Sequence, residues 1–393
     1  MKKKLLFAMN NLNCGGAEKS LVSLLQSIDY RRYEVDLFLF KHEGMFMRQL
    51  PPEVVLLDEP PHYRIFDMPV RRAVAHSVKS RKPGLAVSRL QAGVIFKTEK
   101  NRARCEQRVW KYASRSLAAL DKQYDAAIGY LEKNPIYFVV EKVKARCKLG
   151  FIHTHYDKLE MDGKLDSPYF NALDYIVSVS DECVAALQNR FPQNKHKIVL
   201  MENIVSKTAV RLLSKQYALH RGAEKLIVSV GRLHPLKGFD KAVDACEMLV
   251  KDGFRIKWII VGEGGERPLL ERKIKEKGLE NHFLLAGAKE NPYPYIYHCD
   301  LYVQTSIYEG RCLTITEAKI LKKPIVTTNF SVVYDQIEDG HNGLIVEQDA
   351  AAIYEGIKRL LDDEALRGRL IQHLEQEQIS TEDEIDKLYQ WIG

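Results

Sequence analysis

The amino-acid sequence predicts an α/β protein with two doubly wound domains, each built on a parallel sheet with helices on both faces. Strand-like apolar runs alternate with helix-like patterns over most of the chain, as in consecutive βαβ units. The 393 residues are 46% hydrophobic and 28% charged, which is typical of a globular protein. At roughly 150 residues per domain, this length favours two domains.

Short apolar runs predict the strands of the N-terminal half, and an amphipathic helix follows the first of them. We expect strands over 4–9, 34–40, 54–57, 126–130, 149–153 and 175–178, and that helix over 18–27. Val70 to Leu120 lacks a strand signal. It predicts basic, partly amphipathic helix around Val94-Ile95-Phe96 and Val109-Trp110. Val94-Ile95-Phe96 and Trp110, lying among these charges, fit an interfacial helix.

The C-terminal half alternates more regularly between strand and helix patterns. We expect strands over 226–230, 256–261, 283–286, 301–305 and 325–328, with helices over 239–251, 269–277, 313–321 and 350–361. The polar stretch Lys207 to Lys225 is the expected boundary. The predicted domains are therefore 1–205 and 206–375, followed by a helix over 376–393 for which a crossing back to the first domain is an open option.

The positive charge of the chain is concentrated in one segment. Lys and Arg (59) exceed Asp and Glu (52) by 7, but Val70 to Arg115 alone holds 13 basic and two acidic residues. That segment carries +11, and the rest of the chain carries −4. A nucleic-acid binder that is basic throughout is therefore disfavoured, and a mildly acidic body with one cationic face is favoured.

The cysteines and the lengths of the apolar runs indicate the cellular compartment of the protein. Seven cysteines without a C-x-x-C pair or a neighbouring histidine cluster argue against a disulfide framework and a structural zinc site. The apolar run Leu5 to Met9 is too short for a signal peptide, and no stretch approaches the roughly 20 apolar residues that span a bilayer. We expect a cytoplasmic protein whose contact with a membrane, if any, is peripheral.

Two cations follow the first strand of the C-terminal half. In open α/β sheets, ligands bind beyond the carboxyl ends of the strands, so the loops that follow strands are the informative positions. Arg232 and Lys237 flank the loop 231–238, and a helix begins just after it. They could clamp a diphosphate, because both are fixed cations near a helix N-terminus. The alternative is a surface loop with two solvated cations.

A glycine-rich turn follows the next strand. Gly262, Gly264 and Gly265 come directly after Val261 and would permit a tight turn with close approach to a ligand. The pattern lacks the spacing of a dinucleotide-binding fingerprint, so alone it is a weak signal.

Two glutamates eight residues apart form the most informative motif. Glu309 lies in the loop after a strand, and Glu317 lies about one turn into the following helix. Carboxylates accept hydrogen bonds from hydroxyls, while the helix amides between them donate to phosphates. A nucleotide sugar has this distribution of groups. The alternatives are a helix-capping acid at Glu309 and a solvated helix residue at Glu317. A fourth motif, the turn 340–346, is mostly structural.

Together these motifs resemble the retaining glycosyltransferases of the GT-B fold, family four (group 1), in order and spacing. The N-terminal half agrees more loosely, through Gly15-Gly16 in the loop after the first strand, the strand-ending Phe151-Ile152-His153 and the segment 201–204. The resemblance covers essentially the whole chain. It implies two Rossmann-like domains facing across a cleft, with the nucleotide sugar held by the C-terminal domain and the acceptor by the N-terminal domain.

The resemblance also implies roles for individual residues. Arg232 and Lys237 would neutralise the departing diphosphate, Glu309 would contact the donor sugar, and His153 would lie near the reacting sugar. Glu317 would bind the ribose hydroxyls. The other donor-binding positions would be Gly310, Arg311, Cys312, Leu313, Gly262, Gly264, Gly265 and Asn291, and Gly15 and Gly16 would lie near the diphosphate or acceptor.

The implied chemistry needs no metal and no cofactor, because fixed cations can stabilise the leaving diphosphate. No D-x-D carboxylate pair is present, which supports this expectation. Arg311-Cys312 departs from the Phe-Gly or Leu-Pro common in the family, so the donor sugar stays open. Arg311 either recognises a carboxylate or phosphate or points to solvent.

The expected function is transfer of a sugar from a nucleotide-diphosphate donor, UDP-linked in the first instance, in surface polysaccharide or glycoconjugate synthesis. Val70 to Arg115 suggests an anionic membrane surface and a polyprenyl-linked or other saccharide acceptor. A solvated helical face or an anionic soluble acceptor is the alternative. Two other functions are weighed, a nucleotide-sugar 2-epimerase of GT-B fold and a non-enzymatic basic binding protein. No nucleic-acid partner is expected.

Overall fold

The computed structural model describes residues 2–13, 15–219, 222–379 and 381–393. The chain divides into two compact units. The first unit holds the residues up to Asn13, Ala17–Glu202 and Glu384–Gly393. The second holds Asn203–Asp383 together with Gly15 and Gly16.

The first unit is built on a seven-stranded sheet in which every neighbouring pair is parallel. The strands are β1 (Lys3–Met9), β2 (Tyr33–Leu39), β3 (Val54–Leu56), β4 (Gln123–Gly129), β5 (Lys144–Ile152), β6 (Tyr175–Ser178) and β7 (Ile198–Leu200), in the order β3-β2-β1-β4-β5-β6-β7. Six of them were expected from the apolar runs. The three-residue β7 was not, because so short a run has no period to read.

Within the described residues, seven helices of the first unit precede the second unit. They are α1 (Gly16–Ser27), α2 (Val70–Lys79), α3 (Pro83–Thr98), α4 (Arg102–Ala113), α5 (Asn134–Lys142), α6 (Gly163–Ala172) and α7 (Asp181–Arg190). Side-chain caps define several starts, since Asn101 accepts from the N–H of Arg104 at 2.9 Å and Ser180 accepts from Cys183 at 3.3 Å. Helix α5 is buried among aromatic side chains, with Phe138 stacked on Phe38 at 4.0 Å between ring centroids.

The basic segment is helical, as expected, but the prediction that Trp110 belongs to an interfacial face is wrong. Trp110 lies on α4 with 2% of its surface exposed, and its indole N–H donates to Glu141 at 3.0 Å. Within the run Val94-Ile95-Phe96 on α3, Val94 and Phe96 are exposed, whereas Ile95 packs against a small core of the helical segment. The outward face of this segment is therefore carried by α3 and not by the tryptophan.

The second unit has a six-stranded parallel sheet of its own. Its strands are β8 (Lys225–Val230), β9 (Ile256–Val261), β10 (Phe283–Leu285), β11 (Leu301–Gln304), β12 (Ile325–Thr328) and β13 (Leu344–Val346), in the order β10-β9-β8-β11-β12-β13. The strands expected at 226–230, 256–261, 283–286, 301–305 and 325–328 are confirmed within one residue at each end. Because β8 is central, the loop after it lies between the loops after β9 and β11.

Helices cover both faces of the second sheet. They are α8 (Lys207–Leu213), α9 (Phe239–Lys251), α10 (Arg267–Glu276), α11 (Tyr293–His298), α12 (Leu313–Ile320), α13 (Ala350–Asp362) and α14 (Glu364–Gln376). One core joins α9 and α13 to β8, β9 and β12, and the other packs α11 and α12 on the opposite face. This is the two-faced covering that near-continuous apolar strands require.

The last helix, α15 (Ile385–Trp391), belongs to the first unit. Tyr389 stacks on Tyr33 at 4.8 Å, and Trp391 stacks on Tyr175 at 5.5 Å. Within the residues that the structure describes, no helix combines the length and the hydrophobicity needed to cross a membrane.

Candidate functional site

The structure brings Lys237 and Glu309 into direct contact at the carboxyl edge of the second sheet, the edge where its parallel strands end. The ammonium group of Lys237 forms an ion pair with Oε1 of Glu309, although 72 positions separate the two residues. Their side chains are 22% and 13% exposed. The pair is thus half-shielded from water, where its attraction is stronger than on an open surface.

Polar side chains of β11 and its following loop hold the Glu309 carboxylate. The hydroxyl of Ser306 donates to Oε1 at 2.6 Å, and the amide of Gln304 approaches the same atom at 3.4 Å. Gln304 is itself fixed by the hydroxyls of Tyr302 and Thr314, at 2.6 and 3.2 Å. Glu309 is therefore a member of an ordered network and does not cap α12.

Lys237 remains a cation in this setting. Burial alone would lower its pKa, but the opposite charge of Glu309 and the hydrogen bond to it outweigh burial and raise the pKa above the usual value. The loop around Lys237 is held through its main chain, since the hydroxyl of Thr305 donates to the Lys237 carbonyl at 2.8 Å. Gly238 has φ 62°, and a Cβ there would lie 2.2 Å from the Thr305 carbonyl oxygen. Arg232 lies in the same loop and is exposed.

The glycine turn after β9 packs against this loop. A Cβ added at Gly262 would lie 1.8 Å from the Gly231 carbonyl oxygen, and one at Gly264 would lie 2.2 Å from that of Leu233. Hydrogen bonds join the two loops, including Leu233 N–H to the Glu263 carbonyl at 2.9 Å. Gly265, in contrast, is exposed and has no heavy atom within 4 Å of an added Cβ. Two of the three glycines are thus explained by contact between loops.

The start of α12 is fixed by Gln336. Its Oε1 accepts from the Cys312 N–H, and its Nε2 donates to the Cys312 carbonyl, both at 2.9 Å. The Cys312 amide, which the family resemblance assigns to the donor, therefore has a partner within the protein. Burial, followed by the negative charge of Glu309, raises the pKa of the Cys312 thiol to about 12. Gly310 and Leu313 are buried, and Arg311 is half-buried.

Glu317 and Asn291 lie near each other on one face of the second unit. Glu317 is 1% exposed on α12, so it is not the solvated helix residue of the alternative interpretation, and the Tyr293 hydroxyl lies 3.5 Å from its Oε1. The Asn291 amide donates to the Leu213 carbonyl and to Gln216, both at 2.8 Å. Asn291 thereby ties the end of α8 to the start of α11.

In the first unit, His153 follows β5 at the carboxyl edge of the sheet. Its ring lies 4.8 Å from the ring of Tyr130, and its main-chain N–H donates to Oε2 of Glu132 at 3.4 Å. Sequence reasoning missed Glu132, an acidic residue directly after β4. The same rule that singled out the loops of the second half would have found it. Gly15 is half-buried, and Gly16 is exposed at the start of α1.

No group of three or more His, Cys, Asp or Glu side chains suited to hold a metal occurs among the described residues. Metal independence stays a prediction, since the donor set of a substrate-bound ion includes the substrate.

Comparison with known proteins places these features in a family. Residues 211–377 match the family model for Glycosyl transferases group 1. A poly(ribitol-phosphate) α-N-acetylglucosaminyltransferase of Staphylococcus aureus is 34% identical over 131 residues, which cover 33% of this chain and 26% of that protein. An N-acetylgalactosamine-N,N'-diacetylbacillosaminyl-diphospho-undecaprenol 4-α-N-acetylgalactosaminyltransferase of Campylobacter jejuni is 34% identical over 146 residues, 37% of this chain and 39% of that protein. The chain thus matches well under half the length of these relatives.

Solved structures match over the whole chain. A Staphylococcus aureus TarM variant in complex with fondaparinux, α-GlcNAc-glycerol and UDP superposes with a TM-score of 0.68 at 15% identity, covering 100% of both chains. WaaG, a glycosyltransferase involved in lipopolysaccharide biosynthesis, gives 0.61 at 13% identity and covers 99% of both. At such identities the likeness concerns the fold, and it confirms the predicted one. Residues 211–377 therefore match the glycosyl transferases group 1, and the chain has the GT-B fold of these solved structures.

Proposed function

We propose that this protein is a glycosyltransferase that moves a sugar from a UDP-linked donor to a saccharide or lipid-linked saccharide. The observation that carries the proposal is the Lys237–Glu309 pair at the carboxyl edge of the domain that matches the family. The names of the relatives support it, because they describe transfer of amino sugars to poly(ribitol-phosphate) and to a diphospho-undecaprenol saccharide. A UDP complex among the solved neighbours supports the choice of nucleotide.

The roles of the charged residues follow from the chemistry of the donor. Breaking the bond between the anomeric carbon and the phosphate places negative charge on the diphosphate, so Lys237 and Arg232 would stabilise the transition state more than the ground state. Glu309, held beside Lys237, would accept hydrogen bonds from sugar hydroxyls. Glu317 would bind the ribose hydroxyls of the donor. In this proposal the anomeric configuration is retained and no metal is required.

The first unit would bind the acceptor, with His153 near the reacting sugar and Gly15 and Gly16 near the diphosphate or acceptor. The proposal for the first unit also includes contact with an anionic membrane surface. Of the 13 basic residues in Val70 to Arg115, all but Arg89 are exposed. Arg89 instead donates to the carbonyls of Ile65 and Met68, at 3.1 and 2.7 Å.

Helix α3 adds an apolar ridge to these cations. Val87, Leu90 and Val94 are 52%, 51% and 61% exposed, and their spacing of three and four residues places them on one face. Exposed apolar side chains framed by cations are suited to an anionic bilayer. An enzyme held there would meet a lipid-linked acceptor, which is the substrate class that we propose.

Vesicle flotation tests the membrane contact. We expect the protein to float with vesicles of phosphatidylglycerol and phosphatidylcholine but not with phosphatidylcholine alone. The triple variant Val87→Ser, Leu90→Ser and Val94→Ser should weaken flotation, whereas Leu269→Ser, at a site of 52% exposure in the second unit, should not. Absence of flotation with the anionic vesicles would reject the membrane surface and leave a soluble acceptor, and equal flotation with both vesicle types would reject the preference for an anionic surface.

Donor binding tests the reaction itself. UDP, GDP and dTDP sugars would be screened by thermal stabilisation and by release of the nucleotide diphosphate. Lys237→Ala and Glu317→Ala should weaken binding of the active donor at least about tenfold, since each removes a charged hydrogen bond. Lys358→Ala and Glu247→Ala remove ion pairs elsewhere in the same unit and should leave binding unchanged.

Two outcomes would contradict the proposal. Stabilisation by none of the nucleotide sugars, or unchanged binding in both site variants, would reject the proposed donor site. Conversion of the donor to its 2-epimer without transfer or hydrolysis would identify the epimerase alternative. If transfer occurs, the anomeric configuration of the product, read from proton coupling constants, tests retention.

A further inference from the structure

The loop after β4 contains a carboxylate whose burial the protein leaves largely uncompensated. Glu132 is 8% exposed at the carboxyl edge of the first sheet. Its hydrogen-bond donors among the described residues are main-chain N–H groups, its own and that of His153 at 3.4 Å. A buried carboxylate without side-chain partners is costly. It is retained where a function requires it or where a ligand supplies the missing donor.

The nearest side-chain cation is already engaged. Lys133 forms an ion pair with Glu106 and, among the described residues, none with Glu132. Burial raises the pKa of Glu132 above the usual value for a glutamic acid, and the charge of Lys133 offsets only part of this effect. The carboxyl group is therefore short of donors and not part of a structural ion pair.

The next two residues of the loop strengthen the case. Lys133 has φ 69° and ψ −118°, a conformation that costs a non-glycine residue roughly 1–3 kcal/mol and is found mostly at functional sites. Asn134 donates to the Tyr63 hydroxyl at 3.0 Å, while its Oδ1 is buried without a hydrogen-bond partner in the described structure. Two side-chain acceptors, one in the loop and one at the start of α5, thus lack side-chain donors.

We propose that Glu132 and Asn134 form a saccharide subsite that accepts hydrogen bonds from acceptor hydroxyls. Two acceptor groups suit a ligand rich in donors, and neutral polyols offer these without the repulsion that a phosphate would meet at Glu132. The inference rests on the proposed function, since it names the group that the first unit recognises. Glu132 is a binding residue here, and no proton transfer is assigned to it.

Saccharide binding can be measured without knowing the natural acceptor. The probes are methyl glycosides of glucose, galactose and N-acetylglucosamine, observed by saturation-transfer NMR on the full chain. Glu132→Gln and Asn134→Ala should each weaken the saccharide signal by about 10-fold or more, as expected for lost hydrogen bonds to buried groups. Asp166→Asn alters a buried carboxylate that already has two tyrosine hydroxyl donors and should leave the signal unchanged.

The donor assay separates this inference from the proposed function. UDP binding, measured on the same variants, should stay within twofold of the wild-type value. No binding of any methyl glycoside by the wild type, or equal binding by Glu132→Gln, would overturn the subsite whatever the donor assay shows. Where Glu132→Gln does not fold, Glu132→Asp serves, because it withdraws the carboxylate by one methylene and should weaken binding in the same direction.

Discussion

The glycine turn after β9 permits a sharp test of how the second unit holds its site. In Gly262→Ala the new methyl group would lie 1.8 Å from the Gly231 carbonyl oxygen and 2.8 Å from the carbonyl carbon. Real side chains do not approach the main chain so closely, so the loop 231–238 must move. Gly265→Ala adds the same methyl group three positions on, where no heavy atom lies within 4 Å.

The expected cost follows from this contrast. Forcing a methyl group into a packed region destabilises proteins by about 1–3 kcal/mol, and the closeness of a rigid carbonyl places Gly262→Ala at the upper end. For a unit of this size, about 2–3 kcal/mol corresponds to a fall in melting temperature of roughly 4–10 °C. Gly265→Ala should change the unfolding free energy by less than about 0.5 kcal/mol.

Urea unfolding followed by tryptophan fluorescence measures both variants. Trp258 is fully buried on β9, the strand that leads into the turn, and the other tryptophans, Trp110 and Trp391, belong to the first unit. A version with phenylalanine at those two positions would therefore report on the second unit alone. Equal stability of Gly262→Ala and Gly265→Ala would refute the argument that contact between loops requires the first glycine.

Three further predictions concern charges and a thiol. A double-mutant cycle on Lys237→Met and Glu309→Gln should give a coupling energy of about 1–3 kcal/mol in urea unfolding, and additive effects would contradict the half-shielded pair. The Arg64 hydrogen bond lowers the pKa of Glu59 to about 2, so its contribution is full above about pH 4.5 and is lost as the pH falls toward 2. Glu59→Gln should cost up to about 1 kcal/mol at pH 6 and nothing near pH 2, and an equal cost at both would exclude the linkage. The Cys312 thiol, with its pKa raised to about 12, should resist alkylation by iodoacetamide at pH 8 until urea unfolds the protein. Mass spectrometry measures the alkylation, and a native protein alkylated at Cys312 would contradict this expectation.

The fold and much of the candidate site could be predicted because both depend on local patterns. An apolar run ended by a glycine or a polar residue indicates a buried parallel strand, and parallel strands bring their carboxyl ends to one edge. Together with the observed pairing of β8 with β11, that rule places Lys237 near Glu309, although 71 residues lie between them.

The environment of individual side chains could not be predicted in this way. Trp110 lies among cations in the sequence, yet helix α4 turns it toward Phe40 and Tyr137 in the core, and the sequence does not show which face of α4 packs there. For Glu317, the sequence left open a solvated position on the helix surface, whereas in the structure the side chain is buried. The position of Glu132 after β4 could have been noticed in the sequence, but its burial could not have been predicted from it.

In both units the candidate site lies at the carboxyl edge of the sheet, but the two sites suit ligands of different chemistry. At the carboxyl edge of the second sheet, a cation is paired with a carboxylate that two polar side chains hold in place, which suits a ligand carrying both phosphate and hydroxyl groups. At the corresponding edge of the first sheet, Glu132 and Asn134 offer acceptors without a free cation in contact, which suits hydroxyls and disfavours phosphate. The excess positive charge of the first unit is placed instead on the exposed helices of Val70 to Arg115. If both proposals hold, attraction to an anionic surface and recognition of a neutral saccharide would depend on different residues of the first unit, and variants of one group should leave the other function intact.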